Sequence, residues 1–544
     1  MTAGAAVAPG AAVSTDLAAD AGGTTVDALF RRAFRVFADR VAVTSDQPDE
    51  PSWTYRELGE RTDRLAAGLH ASGLRRGDRL AVLSETRPEY VELYTAAARL
   101  GVALVTLNVR LHPDELAAVV AGAAPAALVT SGSLAPSAEA IRGRAPSVTA
   151  WYSLDPCPGF DEVPRSAAPA PEPAARPDDL HVVLYTSGTT GPPKGAMITQ
   201  QAAAIRGLRL AQWFGLTPDD GFIGWLPMFH CAGDESLYGT LLTGGRFACL
   251  RRADPARILD LVERDRLSWT LLLPGVITDV LAEPVGERDL GSFRFAIGYA
   301  NMMPTVVEKL TAKYGIRFCD AFGQTETSYV LAHGFSGPGE TPHLRKTPTP
   351  LVDVRIVEAS EATGDGHDAE MNEVGVGEPG ECVVRGPGLM SGYLDDPAAT
   401  AEAFRGGWLH TGDVLARAED GTLAFVDRVK YLIKTGGENV YPAEVELAIS
   451  GHPGVQEVCA YGVPDERWGE AVKVAVVRAP GQDEDDRGVT AADIVERCRE
   501  RLAGFKCPRY VQFLDAADLP RSTTGKLQRH VLALRGADDA ERVR

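Results

Sequence analysis

Eleven residues, Tyr185 to Gly195, read YTSGTTGPPKG. They gather four aliphatic hydroxyls (Thr186, Ser187, Thr189, Thr190), three glycines (Gly188, Gly191, Gly195) and Lys194. Glycine lets a backbone curl and come close to a ligand. The N–H groups so exposed, with hydroxyls and an ammonium, suit a polyphosphate. The loop is not the common P-loop, which needs Gly-Lys-Ser/Thr opening a helix. Pro192 and Pro193 stand just before Lys194; neither has an N–H, and together they hold the chain extended. The expectation is a flexible flap over a phosphate, not a cradle at a helix start.

Further segments carry chemistry of their own. WLPMFHCAG, Trp225 to Gly233, places Phe229 and His230 before a small-residue run that can open a helix. AIGYANMM, Ala296 to Met303, has Gly298, where backbone can approach a flat ring. DAFGQTE, Asp320 to Glu326, ends on a carboxylate, the kind of oxygen a hard cation prefers. LHTGD ends on Asp413, whose carboxylate can accept from both hydroxyls of a ribose. Further on, Arg428 after Asp427 offers a guanidinium to ribose or phosphate. RVKYLIKTGGENVYPAEVE, Arg428 to Glu446, holds Lys430, Lys434 and the pair Gly436-Gly437. LPRSTTGKLQR sets Lys526 on a Gly-containing loop. A compact ammonium between two approaching anions offsets their repulsion.

In this order the segments resemble the acyl-adenylate-forming superfamily: acyl-CoA synthetases, aryl-CoA ligases, luciferases and the adenylation domains of peptide synthetases. The resemblance runs from about Thr25 to Leu534 and is nearest to acid–CoA ligases. It implies ATP, Mg2+ and coenzyme A as cofactors or co-substrates. Thr186, Ser187, Gly188, Thr189, Thr190, Gly191 and Lys194 would hold the polyphosphate, with Thr186 and Glu326 on magnesium. Gly298, Tyr299 and Ala300 would pack on adenine, where relatives carry a Gly-Ala-Pro-like run. Asp320 would accept the adenine amino group and Phe322 would stack on the ring, within a nucleotide-binding segment that includes Ala321, Gly323 and Gln324. Phe425 would border the same base, and Thr325 would bond the α-phosphate. His230 would line the carboxylate site as a gate. Lys430 would be the bend between domains, with Lys434 nearby; both also read as solvated lysines. Gly436 and Gly437 would line a pantetheine passage. Lys526 would bond carboxylate and α-phosphate together.

The implied reaction has two steps: acid and ATP give acyl-AMP and pyrophosphate, then coenzyme A gives acyl-CoA and AMP. His230, Cys231, Asp234, Glu235, Tyr299 and Asn301 are the candidate acid pocket. Carboxylates beside an acyl pocket are costly unless paired or hydrated. Asp234 and Glu235 therefore face out, pair with an arginine such as Arg209, or meet a polar group of the substrate. With Tyr299, the last reading favours a compact polar or aromatic acid. Other acceptors stay open: a carrier-protein thiol, an amine, oxygen, or nitrite in diazotisation of an aryl amine, the last fitting a secondary-metabolite role. A Walker-type ATPase is disfavoured by Pro192-Pro193. A non-catalytic nucleotide-binding scaffold would have lost Lys526, Asp413 or Glu326, and all are present.

The elements that must position these residues alternate. Helices are expected over Val26–Arg40, Leu58–Ser72 and Pro88–Leu100, with strands at Leu80–Leu83, Ala103–Leu107 and Val182–Leu184. Alternation favours an α/β fold with mainly parallel sheets. A small β-barrel unit is expected next, with strands at Glu381–Arg385 and Thr422–Val426, then strands at Val455–Gly462 and Ala471–Arg478 and a helix at Ala491–Leu502. The expected layout is a disordered tail over 1–24, a large domain over 25–427, a hinge at 428–430, and a small mobile α+β domain over 431–544. The Pro/Ala-rich Asp155–Asp179 reads as an exposed connection. The 544 residues exceed one core, and the net charge of −19 argues against nucleic acid and anionic membrane as partners. Eight scattered cysteines without a C-x-x-C pair favour a reducing cytoplasm over zinc or disulfides. No stretch reaches the length of a membrane span. The partner expected is a small carboxylic acid, and a homodimer is an allowed assembly.

Overall fold

The computed structural model describes residues 24–186, 193–299, 304–342, 344–358, 371–428, 431–435, 438–465, 468–480, 488–521, 527–536 and 540–542. The chain is an α/β protein of mostly parallel sheets in its larger part and a smaller C-terminal domain. It divides into two compact units: residues 1–270, 287–293 and 387–395 form one, and 271–286, 294–386 and 396–544 the other.

The first unit opens with α1 (Val26–Val36), β1 (Val41–Ser45) and α2 (Tyr55–Ala71). α1 stops short of the expected Arg40, at Phe37. α2 starts three residues before the expected Leu58, because Thr54 and Glu57 form a capping box that satisfies its first N–H groups. Then come β2 (Arg79–Leu83), α3 (Pro88–Leu100), β3 (Ala103–Thr106), β4 (Ala127–Thr130), β5 (Ala150–Ser153), β6 (Leu180–Thr186) and β7 (Lys194–Thr199). α3 has the expected bounds; Pro88 opens it, and Gly101 closes it at φ 65°, where a side chain would be strained. One sheet runs, from the short strand Asp161–Glu162, in the order β5, β4, β2, β3, β6, β7. It is parallel throughout except for the antiparallel β6–β7 pair. α4 (Gln200–Phe214), β8 (Gly221–Gly224), α5 (Cys231–Leu242) and β9 (Arg246–Cys249) follow, and β1 and β8 both lie parallel to β9. α3 touches both β1 and β3 and is buried on nearly every face, as a helix between two sheets must be. The Asp155–Asp179 connection is largely irregular but tied down: Arg165 pairs with the buried Glu92 at 2.9 Å.

The second unit holds β10 (Phe295–Gly298), α6 (Pro304–Tyr314), β11 (Arg317–Gln324) and β12 (Ser328–Ala332). β10 and β11 are parallel, and β11 and β12 form an antiparallel hairpin. The small β unit is a four-stranded antiparallel sheet of β13 (Asp353–Val357), β14 (Pro379–Arg385), β15 (Leu409–Arg417) and β16 (Leu423–Arg428), in that order. The C-terminal part has α7 (Pro442–Ser450), β17 (Val455–Asp465), β18 (Gly469–Arg478), α8 (Ala491–Arg499) and β19 (Tyr510–Phe513). Val445, Ile449, Val474, Val476, Ile494 and Val511 lie in one apolar core there. Among the described residues no helix is long and apolar enough to cross a membrane.

Candidate active site

In the first unit, β6 and β7 make the hairpin on which the Thr/Gly/Lys loop hangs. Thr186 pairs with Lys194 and Tyr185 with Gly195, and the Thr186 hydroxyl donates to the Lys194 carbonyl at 3.4 Å. The chain leaves a strand and returns as a strand, whereas a Walker loop must open a helix. That topology removes the Walker-type reading. Lys194 is exposed, its Nζ 5.2 Å from the centre of the Tyr393 ring. Ser187, Gly188, Thr189, Thr190 and Gly191 lie outside the described residues.

His230 is the N-cap of α5, its Nδ1 accepting from the Ala232 N–H at 3.2 Å. Cys231 Sγ lies 3.8 Å from the same nitrogen. One turn on, Asp234 and Glu235 do not face solvent: they are 0% and 1% exposed. Glu235 pairs with Arg206 at 2.9 Å, and Arg206 Nε donates to the Gly388 carbonyl at 2.7 Å. The ion-pair partner is thus Arg206, one helical turn before the expected Arg209. Asp234 accepts from the Tyr238 hydroxyl at 3.1 Å. Burial, then the neighbouring Glu235, push the Asp234 carboxyl well above the usual carboxylate range, against Arg206. Burial also lowers the Arg209 guanidinium to about 10, opposed by Glu235.

In the second unit, β11 carries Asp320, Ala321, Phe322, Gly323 and Gln324, and the turn into β12 carries Thr325 and Glu326, both half-buried. Gly323 is required there: a Cβ would sit 2.0 Å from the Ser328 carbonyl oxygen. Asp320 is buried and forms an ion pair with the equally buried Lys346 at 2.6 Å. Phe322 and Phe425 meet at 6.0 Å between ring centres, and Tyr299 stacks on Tyr329 at 5.4 Å. Asp413, on β15, is 1% exposed. The Gln324 amide donates to its Oδ2 and, at 2.7 Å, to the Thr411 carbonyl. Glu381 holds the bend before it, taking His410 Nδ1 at 2.8 Å, Arg405 at 3.0 Å and the Gly412 N–H at 3.1 Å. Asp413 and Arg428 are backbone partners across β15 and β16. Asp320, Phe322, Gln324, Asp413 and Phe425 are therefore gathered from two sheets of one unit, with Gly298 at the end of β10 beside Asp320.

Asp427, before the expected hinge, accepts from the Ala443 N–H in the first turn of α7 at 2.8 Å. Lys430, Gly436, Gly437, Ala300, Asn301 and Lys526 lie outside the described residues, and Lys434 is described only as backbone of the strand Ile433–Thr435. The residues flanking Lys526 are anchored: Arg521 pairs with Glu457, and Arg529 with Glu446 at 2.7 Å. Sequence reading missed Lys346, Glu381 and Arg206. A lone lysine or arginine outside a motif looks solvated until its burial is known.

Residues 30–394 match the AMP-binding enzyme family model, and residues 444–526 match the model of the AMP-binding enzyme C-terminal domain. The chain belongs to the AMP-binding enzyme family. Among curated proteins it is 35% identical over 478 residues to a feruloyl-CoA synthase of an Amycolatopsis species, covering 87% of this chain and 92% of that one. It is 33% identical to a long-chain-fatty-acid–CoA ligase of Mycobacterium tuberculosis, covering 88% and 92%. Among solved structures it resembles ATP-bound MatB from Rhodopseudomonas palustris, with a TM-score of 0.82 and 31% identity over 95% of this chain and 99% of that one. This AMP-binding enzyme is of the AMP-forming acid–CoA ligase type, with ATP and coenzyme A as substrates.

Proposed function

We propose that the enzyme joins a compact polar or aromatic carboxylic acid to coenzyme A through an acyl-adenylate. The observation that carries the nucleotide end is the gathering of Asp320, Phe322, Gln324, Asp413 and Phe425, where Gln324 bonds Asp413 and Phe322 meets Phe425. In this reading Asp413, fixed by Gln324, accepts from the ribose hydroxyls. Phe322 and Phe425 contact the base, with Gly298, Tyr299 and Ala300 beside it. Thr325 donates to the α-phosphate. Thr186 through Lys194 cover the polyphosphate, and Arg428 adds charge.

Magnesium fits the residues. Glu326 offers a hard oxygen at a hairpin tip and Thr186 a hydroxyl, while the described residues contain no cluster of three or more His, Cys, Asp or Glu. Both are oxygen donors of the kind a hard cation prefers. When bound it would supply neutralisation of polyphosphate charge.

The acid carboxylate attacks the α-phosphorus in line, forming a C(O)–O–P linkage and expelling pyrophosphate. Lys526 bonds both anions, so positioning and charge neutralisation carry the rate. A bend at Lys430 then withdraws Lys526. The coenzyme A thiol, reaching the acyl carbon past Gly436 and Gly437, loses its proton and displaces AMP. For the acid end, His230 caps α5, Cys231 opens it, and the buried Asp234–Glu235–Arg206 group stiffens its first turns. A rigid start to α5 favours short or flat acids over a long, flexible alkyl chain. The test is pyrophosphate release over aliphatic, long-chain, aryl and amino-aryl acids, with coenzyme A, an amine or nitrite as second substrate. Aryl or compact polar acids with coenzyme A give the fastest turnover, and Lys526→Ala loses pyrophosphate release by about 100-fold or more. Preference for long-chain acids would reject the acid class, and intact release in Lys526→Ala would reject the role of that lysine.

A further inference from the structure

Lys346 lies just upstream of the small β unit, in no segment with chemistry of its own, yet it is 2% exposed. Its Nζ lies 2.6 Å from Asp320 Oδ2 and donates to the Leu344 carbonyl at 2.9 Å. Its backbone is locked to β16: the Lys346 N–H donates to the Leu423 carbonyl at 2.8 Å, and the Leu423 N–H returns to the Lys346 carbonyl at 2.7 Å. Taking two charges out of water costs several kcal/mol per ion unless geometry compensates, so the pair is not a by-product of a crowded surface. Burial raises the Asp320 carboxyl, and Lys346 and then His333 oppose that.

Both Asp320 carboxylate oxygens are buried and neither makes a hydrogen bond of good geometry among the described residues; Oδ2 has the Lys346 ammonium at 2.6 Å, and Oδ1 is left an unmet acceptor. A buried acceptor without a donor is expensive, and such atoms mark places where a ligand completes the bonding. Asp320 and Phe322 are alternate residues of β11 and face the same side. The Phe322 ring meets Phe425 on the strand that also locks Lys346. A flat heterocycle against those rings, carrying an exocyclic amine toward Oδ1, would supply the donor. A ring with a carbonyl oxygen in that position would set two acceptors against each other.

We propose that Lys346 is a positioning residue for base recognition: by holding Asp320 Oδ2 it leaves Oδ1 as an acceptor only, and so makes the enzyme select a 6-amino purine over a 6-oxo purine. The inference rests on the nucleotide reading of β11 given above. The probes are ATP and inosine triphosphate, each with magnesium, titrated into the full-length chain by calorimetry. The wild type binds ATP tighter by about tenfold or more, the scale of one unmet buried hydrogen bond. Lys346→Met brings the two affinities within about threefold, because the carboxyl left without its cation takes a proton and donates. Should that variant not fold, Asp320→Asn/Lys346→Met carries no buried charge. Its amide donates or accepts, so it too binds both nucleotides within about threefold. A purely structural lysine would weaken both nucleotides alike, and an unchanged ratio in either variant overturns the proposal. So does a wild type that binds both equally, which leaves the ligase reading standing. A wild type that binds neither nucleotide overturns the ligase reading and this inference with it.

Discussion

Asp320, Asp413 and Asp234 are all nearly fully buried, yet each is handled differently. Asp320 has a lysine, Asp413 an amide that orients it, and Asp234 a tyrosine hydroxyl beside a neighbouring ion pair. Removing one partner from such a group costs more than the partner contributes, because the other is left dry and unmet. His181 on β6 is the neutral counterpart. It is fully buried, lies against Tyr94 and Tyr238 at 5.8 and 5.5 Å, and neither ring nitrogen has a partner among the described residues. Burial lowers it from 6.5 to about 3. Between those values the unfolded chain binds a proton that the folded chain refuses, so stability falls as pH drops below 6.5 and goes on falling toward 3. At pH 5.5 this one residue costs about 1.4 kcal/mol relative to pH 7.5. Replacing it by phenylalanine should remove that share of the acid sensitivity. Urea midpoints of wild type and His181→Phe at the two pH values measure it, and equal pH slopes would contradict it.

At the scale of elements, the β11–β12 hairpin sets the geometry of Thr325 and Glu326. Its tightness comes from one missing side chain: Gly323 lets the Ser328 carbonyl approach where any Cβ would clash with backbone, which cannot swing aside. Gly323→Ala should therefore cost ~3 kcal/mol and displace Thr325 and Glu326. A loss of several degrees in Tm together with lost pyrophosphate release is the expected outcome. Gly334→Ala is the control. It has nothing within 4 Å of its Cβ position and should change neither. The β6–β7 hairpin and the α5 cap are positioned by strand register and by His230 respectively.

At the scale of the molecule, the adenylation and thiol-transfer steps are proposed to use different segments, with the bend at Lys430 switching between them. Asp427, before the bend, accepts from the Ala443 N–H of α7, beyond it, so a rotation at Lys430 has to break that bond. Proline fixes φ and removes a donor. Lys430→Pro should leave pyrophosphate release within about threefold while slowing acyl-CoA formation by about 100-fold. Equal loss of both steps would place the bend elsewhere.

The residue order alone determined the family and the alternating α/β architecture, and it named the residues proposed to hold the nucleotide. These features rest on local chemistry, such as glycine where backbone must come close and hydroxyls and carboxylates at short spacings, which survives in a linear string. α3 was legible to the residue because Pro88 and Gly101 punctuate it, whereas α2 was misplaced at its start because a capping box binds through side chains. Tertiary structure alone decided that Glu235 answers to Arg206 and that Lys346 belongs to Asp320. Those partners stand 29 and 26 residues apart in sequence, on elements whose approach depends on packing. A charged side chain is solvated by default, and only burial, a property of the folded whole, forces it to find its counter-ion.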